Sequence, residues 1–102
     1  MTYADPGSIS AAVAVWTGRD QFDWPRRDDA RVVAEFGEER AAELLPALHA
    51  LEEEFYESDA CHRIADLSEM GKAAAAEFRD RHPELPADVS EALAWCYTFD
   101  HK

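Results

Sequence analysis

The sequence predicts an all-α fold, a compact single-domain bundle of about four to five helices. Three observations carry that expectation. Apolar residues recur at helical spacing along most of the chain, and no stretch sustains the polar/apolar alternation of a half-buried strand. Glycine, proline and Ser/Asp signals cut the pattern into helix-sized pieces. The 102 residues, 47% of them hydrophobic and including three Trp, three Tyr and five Phe, suit one modest core spanning residues 1–102 and argue against an acidic disordered tail.

Residues 1–7 are expected as a flexible N-terminus. Ser8 is then read as a helix N-cap, with Ile9, Ala12, Val13 and Trp16 at i, i+3, i+4 and i+7 and Gly18 as the stop. Ala11, Ala14 and Val15 make this helix apolar nearly all round, so it belongs at the centre; a buried strand over 12–16 is the other reading. Residues 19–27 form an aromatic connecting loop, in which Pro25 biases Trp24 away from helix. Asp28 or Asp29 caps a short helix carrying Ala30, Val33 and Phe36, which Gly37 ends.

From Glu38 a longer stripe runs through Ala41, Leu44, Leu45, Leu48, Leu51 and Phe55, with Pro46 inside it predicting a kink or a fresh start. Ser58-Asp59 is the next cap signal. Cys61, Ile64, Ser68, Gly71, Ala75, Phe78 and His82 follow at spacings of three and four, with a break allowed near Leu67-Ser68. Most of that seam is small, which predicts close approach to a neighbouring helix around Gly71. His82-Pro83 ends the segment and Pro86 opens the last helix, whose inner stripe is Val89, Ala92, Leu93 and Cys96. Trp95, Tyr97 and Phe99 point to different sides, so at least one is expected to be exposed.

Charge restricts the partners. With 22 Asp and Glu against 10 Lys and Arg, the net charge of −12 disfavours direct nucleic-acid binding and anionic membranes. No apolar run is long enough for a membrane span, no basic-then-apolar leader is visible, and two cysteines do not make a disulfide scaffold, so a cytoplasmic location is expected. The Ala- and Arg-rich, Asn-free composition suggests GC-rich bacterial coding, and part of the acidity can belong to an acidic proteome.

That acidity is concentrated. Residues 1–27 balance Asp5, Asp20 and Asp23 against Arg19, Arg26 and Arg27. Residues 35–59 hold nine carboxylates (Glu35, Glu38, Glu39, Glu43, Glu52, Glu53, Glu54, Glu57 and Asp59) against the single Arg40. Glu35/Glu39/Glu43 and Glu53/Glu57 are i,i+4 like-charge steps that disfavour a helix, and local conflicts of this kind concentrate at functional surfaces. The candidate partner-binding residues are therefore Glu38, Glu39, Glu43, Glu52, Glu53, Glu54, Glu57 and Asp59. Phe22 and Trp24 are candidate aromatic anchors, unless the loop tucks its rings onto the core. Arg26-Arg27 with Arg31 is expected to pair with the protein's own acids.

Signals for chemistry are weak. His49 and Glu53 lie one helical turn apart, and Asp59, Cys61, His62 and Asp66 follow, but the acid-x-x-His unit Asp59-x-x-His62 occurs once where bundle metal sites use more than one. Two Cys and four His come without a Gly-rich elbow, P-loop or zinc-protease signature. No catalytic residue, metal ligand or cofactor is assigned. Trp16-Thr17-Gly18 matches the tripeptide of the WXG-type secreted helical hairpins. There it marks a mid-chain turn, whereas here it lies near the start and Pro25, Pro46 and Pro83 interrupt any hairpin.

The expected function is a non-enzymatic acidic module that binds a basic, nucleic-acid-binding type of protein and neutralises it, as immunity proteins, antitoxins and anti-defence inhibitors do. A structural subunit acting by homo-oligomeric self-association is the alternative, and a small metal-dependent or ligand-binding enzyme the third reading.

Overall fold

Asp5 starts the first helix. In the computed structural model, which describes residues 5–19 and 21–101, its carboxylate accepts the Ser8 N–H at 3.3 Å, and Pro6 occupies the first turn of α1 (Pro6–Thr17). The cap is thus Asp5 and not Ser8. Of the terminus expected to be flexible, residues 1–4 lie outside the described residues, while 5–7 form the cap and first turn. The segment 12–16 is helix, not strand. Ile9, Ala12, Val13, Trp16 and Thr17 are buried, and α1 packs against three later helices.

Gly18, at φ 75°, turns the chain out of α1 and donates its N–H to Ala14. The connecting loop then folds back on the helix end. Arg26 N–H reaches Thr17 O at 2.9 Å and Asp28 N–H reaches Trp16 O at 3.0 Å. The Arg31 guanidinium donates to Val15 O and Trp16 O, so a cation closes the negative end of α1.

Asp28 caps α2 (Asp29–Phe36) through the Ala30 N–H. This helix buries Val32, with Val33 and Phe36 only partly covered and Ala30 exposed, a small rotation from the expected stripe. Gly37, at φ 85°, ends α2 and begins α3 (Glu38–Phe55) with no further linker residue. Ala41, Leu44, Leu48 and Phe55 form the inner face of α3. Pro46 does not break the helix. It lies on the exposed side, where water can satisfy the carbonyl one turn back that a proline leaves without its N–H partner.

A single turn, α4 (Ala60–Arg63), follows, and the expected break comes just before Leu67: Ile64 is extended, and Asp66 caps α5 (Leu67–Arg81) through the Glu69 N–H. The last helix, α6 (Ala87–Asp100), runs antiparallel to α5 and makes the most extensive helix pairing in the molecule. Gly71 packs directly against α6. A Cβ there would lie 2.8 Å from Thr98 Cγ2, so the expected small-residue seam is real and its partner is α6. Val89, Ala92, Leu93, Cys96 and Tyr97 are buried, leaving Phe99 as the exposed aromatic of the helix. Tyr97 packs against Phe55, which also meets Phe78, and its hydroxyl donates to Ser58 O while accepting the Cys61 N–H.

Of the described residues 74% are helical, and none of them forms a strand. Five helices of eight residues or more and one isolated turn close a single all-α bundle. None of these helices is long and apolar enough to cross a membrane.

Candidate functional site

The helical repeat places Glu39, Glu43, Pro46, Ala50 and Glu53 on one outward line of α3, and Glu57 continues it past the helix end; all six are exposed. From Glu39 to Glu53 the line is about 21 Å long. Its centre is short and uncharged, and its two ends are carboxylates.

The acids of this window divide into two groups. Glu38, Glu39, Glu53 and Glu57 meet no cationic side chain within 4 Å among the described residues, and Glu43 has only the exposed Arg40 at 3.3 Å. Of the others, Glu35 is exposed with no cation within 4 Å among the described residues, and the remaining three have partners in the chain. Glu54 lies 3.4 Å from Arg81 Nε and 2.8 Å from His82 Nε2. Asp59 pairs with Arg63 at 2.7 Å. Glu52 lies 2.9 Å from Arg27 Nε, and the same guanidinium reaches Asp100 Oδ2 at 3.0 Å and the Tyr56 hydroxyl at 3.3 Å. The expectation that the loop arginines serve the protein's own acids holds for Arg27, and for Arg31, which also lies 3.7 Å from Asp28.

Several groups of the Arg27 cluster are shifted by burial and by one another. Burial raises the pKa of Glu52 despite the nearby guanidinium, and Glu52 Oε2 accepts no aligned hydrogen bond. Tyr56 is raised by burial and by its hydrogen bond to Asp100. Beneath them, burial pushes the Cys96 thiol up to about 11 despite its contact with Arg27, the opposite of the shift that activates a nucleophilic cysteine. The cluster clamps the loop to α3 and α6.

The two candidate aromatic anchors have different fates. Phe22 is tucked in: its ring lies under the guanidinium groups of Arg31 and Arg26, at 5.1 and 5.6 Å, and against Gly18, where a Cβ would come within 2.3 Å of the ring. Trp24 is 50% exposed, but it lines a groove formed with α5 and α6 and not the α3 face. The structure thus lines up Glu39, Glu43, Glu53 and Glu57 on one side of α3, with Glu38 exposed about 100° round the helix from Glu39. It does not bring Phe22 or Trp24 to them. The single sequence signal separating the two groups of acids was exposure on the helical wheel, because the partners of Glu52 and Glu54 come from distant segments.

His49 turns to Asp29 (Nε2 to Oδ2, 3.2 Å) rather than to Glu53, and Asp29 also accepts the Trp16 indole N–H at 2.8 Å. These hydrogen bonds, the Trp16 bond first, hold the Asp29 carboxyl below its ordinary range. Among the described residues no group of three His, Cys, Asp or Glu side chains is arranged to hold a metal ion. The chain matches no protein-family model, no curated protein and no solved structure.

Proposed function

We propose that this chain is a non-enzymatic acidic binding module whose α3 face docks a basic protein and neutralises it by occlusion, in the manner of immunity proteins, antitoxins and anti-defence inhibitors. The observation that supports this reading is the division of the acids. Carboxylates at Glu52, Glu54 and Asp59 are each given a cation from the same chain, whereas Glu38, Glu39, Glu53 and Glu57, in the same window, meet none among the described residues. General acidity does not require such sorting. The i,i+4 repulsions of Glu39/Glu43 and Glu53/Glu57 cost a few tenths of a kcal/mol each, and a partner's Arg and Lys side chains would relieve them on docking. A protein surface built to hold phosphates would meet carboxylates in their place, while the short side chains of Pro46 and Ala50 let it approach the helix closely.

The test is co-purification of a cationic host protein with the tagged chain, followed by matched charge reversals. E39K/E53K on the α3 line is expected to abolish the complex, and E69K/D80K, with the same net charge but on α5, to retain it. The association rate is expected to fall as salt rises. Binding that survives E39K/E53K, or is lost equally in both variants, counts against this face as the docking surface.

A further inference from the structure

A second surface has the opposite charge character. A groove of about 710 Å³ runs along the α5–α6 seam. Its floor is small, made of Gly71, Ala75, Ala94 and Thr98, because the two helices approach so closely there. Trp24, Leu67, Trp95 and Phe99 are the large apolar residues of its lining. In a chain of net charge −12, its lining carries Arg19, Lys72 and Arg79 against Asp23 and Glu91. Arg19 lies over the Trp95 ring at 5.7 Å and Arg79 reaches only the Ser90 hydroxyl at 3.3 Å; neither meets a carboxylate within 4 Å among the described residues. Lys72 is held by Glu69 at 3.6 Å.

We propose that this groove docks an acidic amphipathic helix from a partner chain. Between Leu67 and Arg79 the groove is about 18 Å long, which matches roughly three turns of an incoming helix. A floor without bulky side chains lets a third helix axis approach and leaves the large apolar anchors to the partner, whose aliphatic stripe fills the space beside Trp24 and Trp95. Acids flanking that stripe would meet Arg19, Lys72 and Arg79, and the two arginines, exposed and without a carboxylate partner among the described residues, can grip carboxylates with both nitrogens. A second copy of this chain fits poorly. Two-fold pairing through the groove would bring together two linings of the same net positive charge, and the α3 line of another copy offers only Pro46 and Ala50 between its acids.

The probe is a fluorescein-labelled peptide with leucine at i, i+3, i+4 and i+7 and glutamate and alanine elsewhere, compared with the same peptide carrying lysine for glutamate. Fluorescence anisotropy is expected to show saturable binding of the glutamate peptide, at least about tenfold tighter than that of the lysine peptide. R19E/R79E is expected to reverse this preference, and the milder R19Q/R79Q to abolish it, with helical circular dichroism confirming that both variants fold. Trp24→Ala should weaken binding of the glutamate peptide about tenfold. E39K/E53K on α3 should leave it unchanged, which separates this groove from the α3 face. Equal binding of the two peptides, no saturation by about 1 mM, a preference unaltered in R19E/R79E, or a concentration-dependent dimer that R19E/R79E dissolves would each overturn the proposal; the last would make the occupant a second copy.

Discussion

Arg27 holds Glu52 and Asp100 together at the junction of the aromatic loop, α3 and α6. Removing it leaves a half-buried carboxylate without its cation, so Arg27→Ala is expected to cost about 1–3 kcal/mol in urea unfolding. Glu52→Gln should behave differently. Its folded pKa is raised above the ordinary 4.5, so the folded state holds this proton more tightly, and stability falls as pH rises from 4.5 through the raised value. At neutral pH the glutamine variant is expected to match or exceed the wild type, with the gap closing in acid. Asp29 has the opposite sign. Its carboxyl is depressed below 3.8 by the Trp16 N–H and His49, so its contribution is present above that value and is lost as pH falls through the depressed one. Asp29→Ala leaves the indole N–H of a buried Trp16 unpaired and should cost about 1–2 kcal/mol, most of which Asp29→Asn recovers by restoring an acceptor. That the loop arginines would serve internal acids was legible from their isolation in an acidic chain. Which acids they serve was not, since Asp100 lies 73 positions from Arg27.

Between elements, the α5–α6 contact offers a test in which propensity and packing have opposite signs. Gly→Ala inside a helix ordinarily stabilises by about 1 kcal/mol. At Gly71 the new methyl would come within 2.8 Å of Thr98 Cγ2, and the Thr98 hydroxyl is bonded to Ala94 O and Trp95 O, so the methyl cannot simply turn away. Gly71→Ala is therefore expected to destabilise by about 1–3 kcal/mol. Thr98→Ser, which keeps the hydroxyl and deletes the methyl, should relieve much of the loss in the double variant, as read from thermal unfolding. The helix order and most stripes were readable because each depends on residues three or four apart. The start of α1 was placed three residues late because Asp5 competed with Ser8 for the cap, and proline at the first helical turn favours the earlier start. At Pro46 the helix continues, so the fresh start allowed by the sequence does not occur.

For the whole molecule, the surface acids left without an internal cation repel one another. Added salt is expected to raise the melting temperature, and E39K/E53K to raise it at low salt and flatten its dependence on salt, because the variant removes the repulsion that the ions screen. If the α3 face is a docking surface, that gain in stability should accompany loss of the partner. Stability and binding would then pull in opposite directions at the same residues.

Local pattern sufficed for the all-α class, the bounds of most helices, the small seam at Gly71 and the concentration of acid between 35 and 59, because helix periodicity, caps and charge spacing are properties of neighbours in the chain. Which acids remain available, that Phe22 is tucked in while Trp24 is half exposed, and that Arg19, Lys72 and Arg79 border one groove were settled only by the tertiary fold. Those features depend on side chains brought together from separate helices, and a one-dimensional pattern carries no record of such distances.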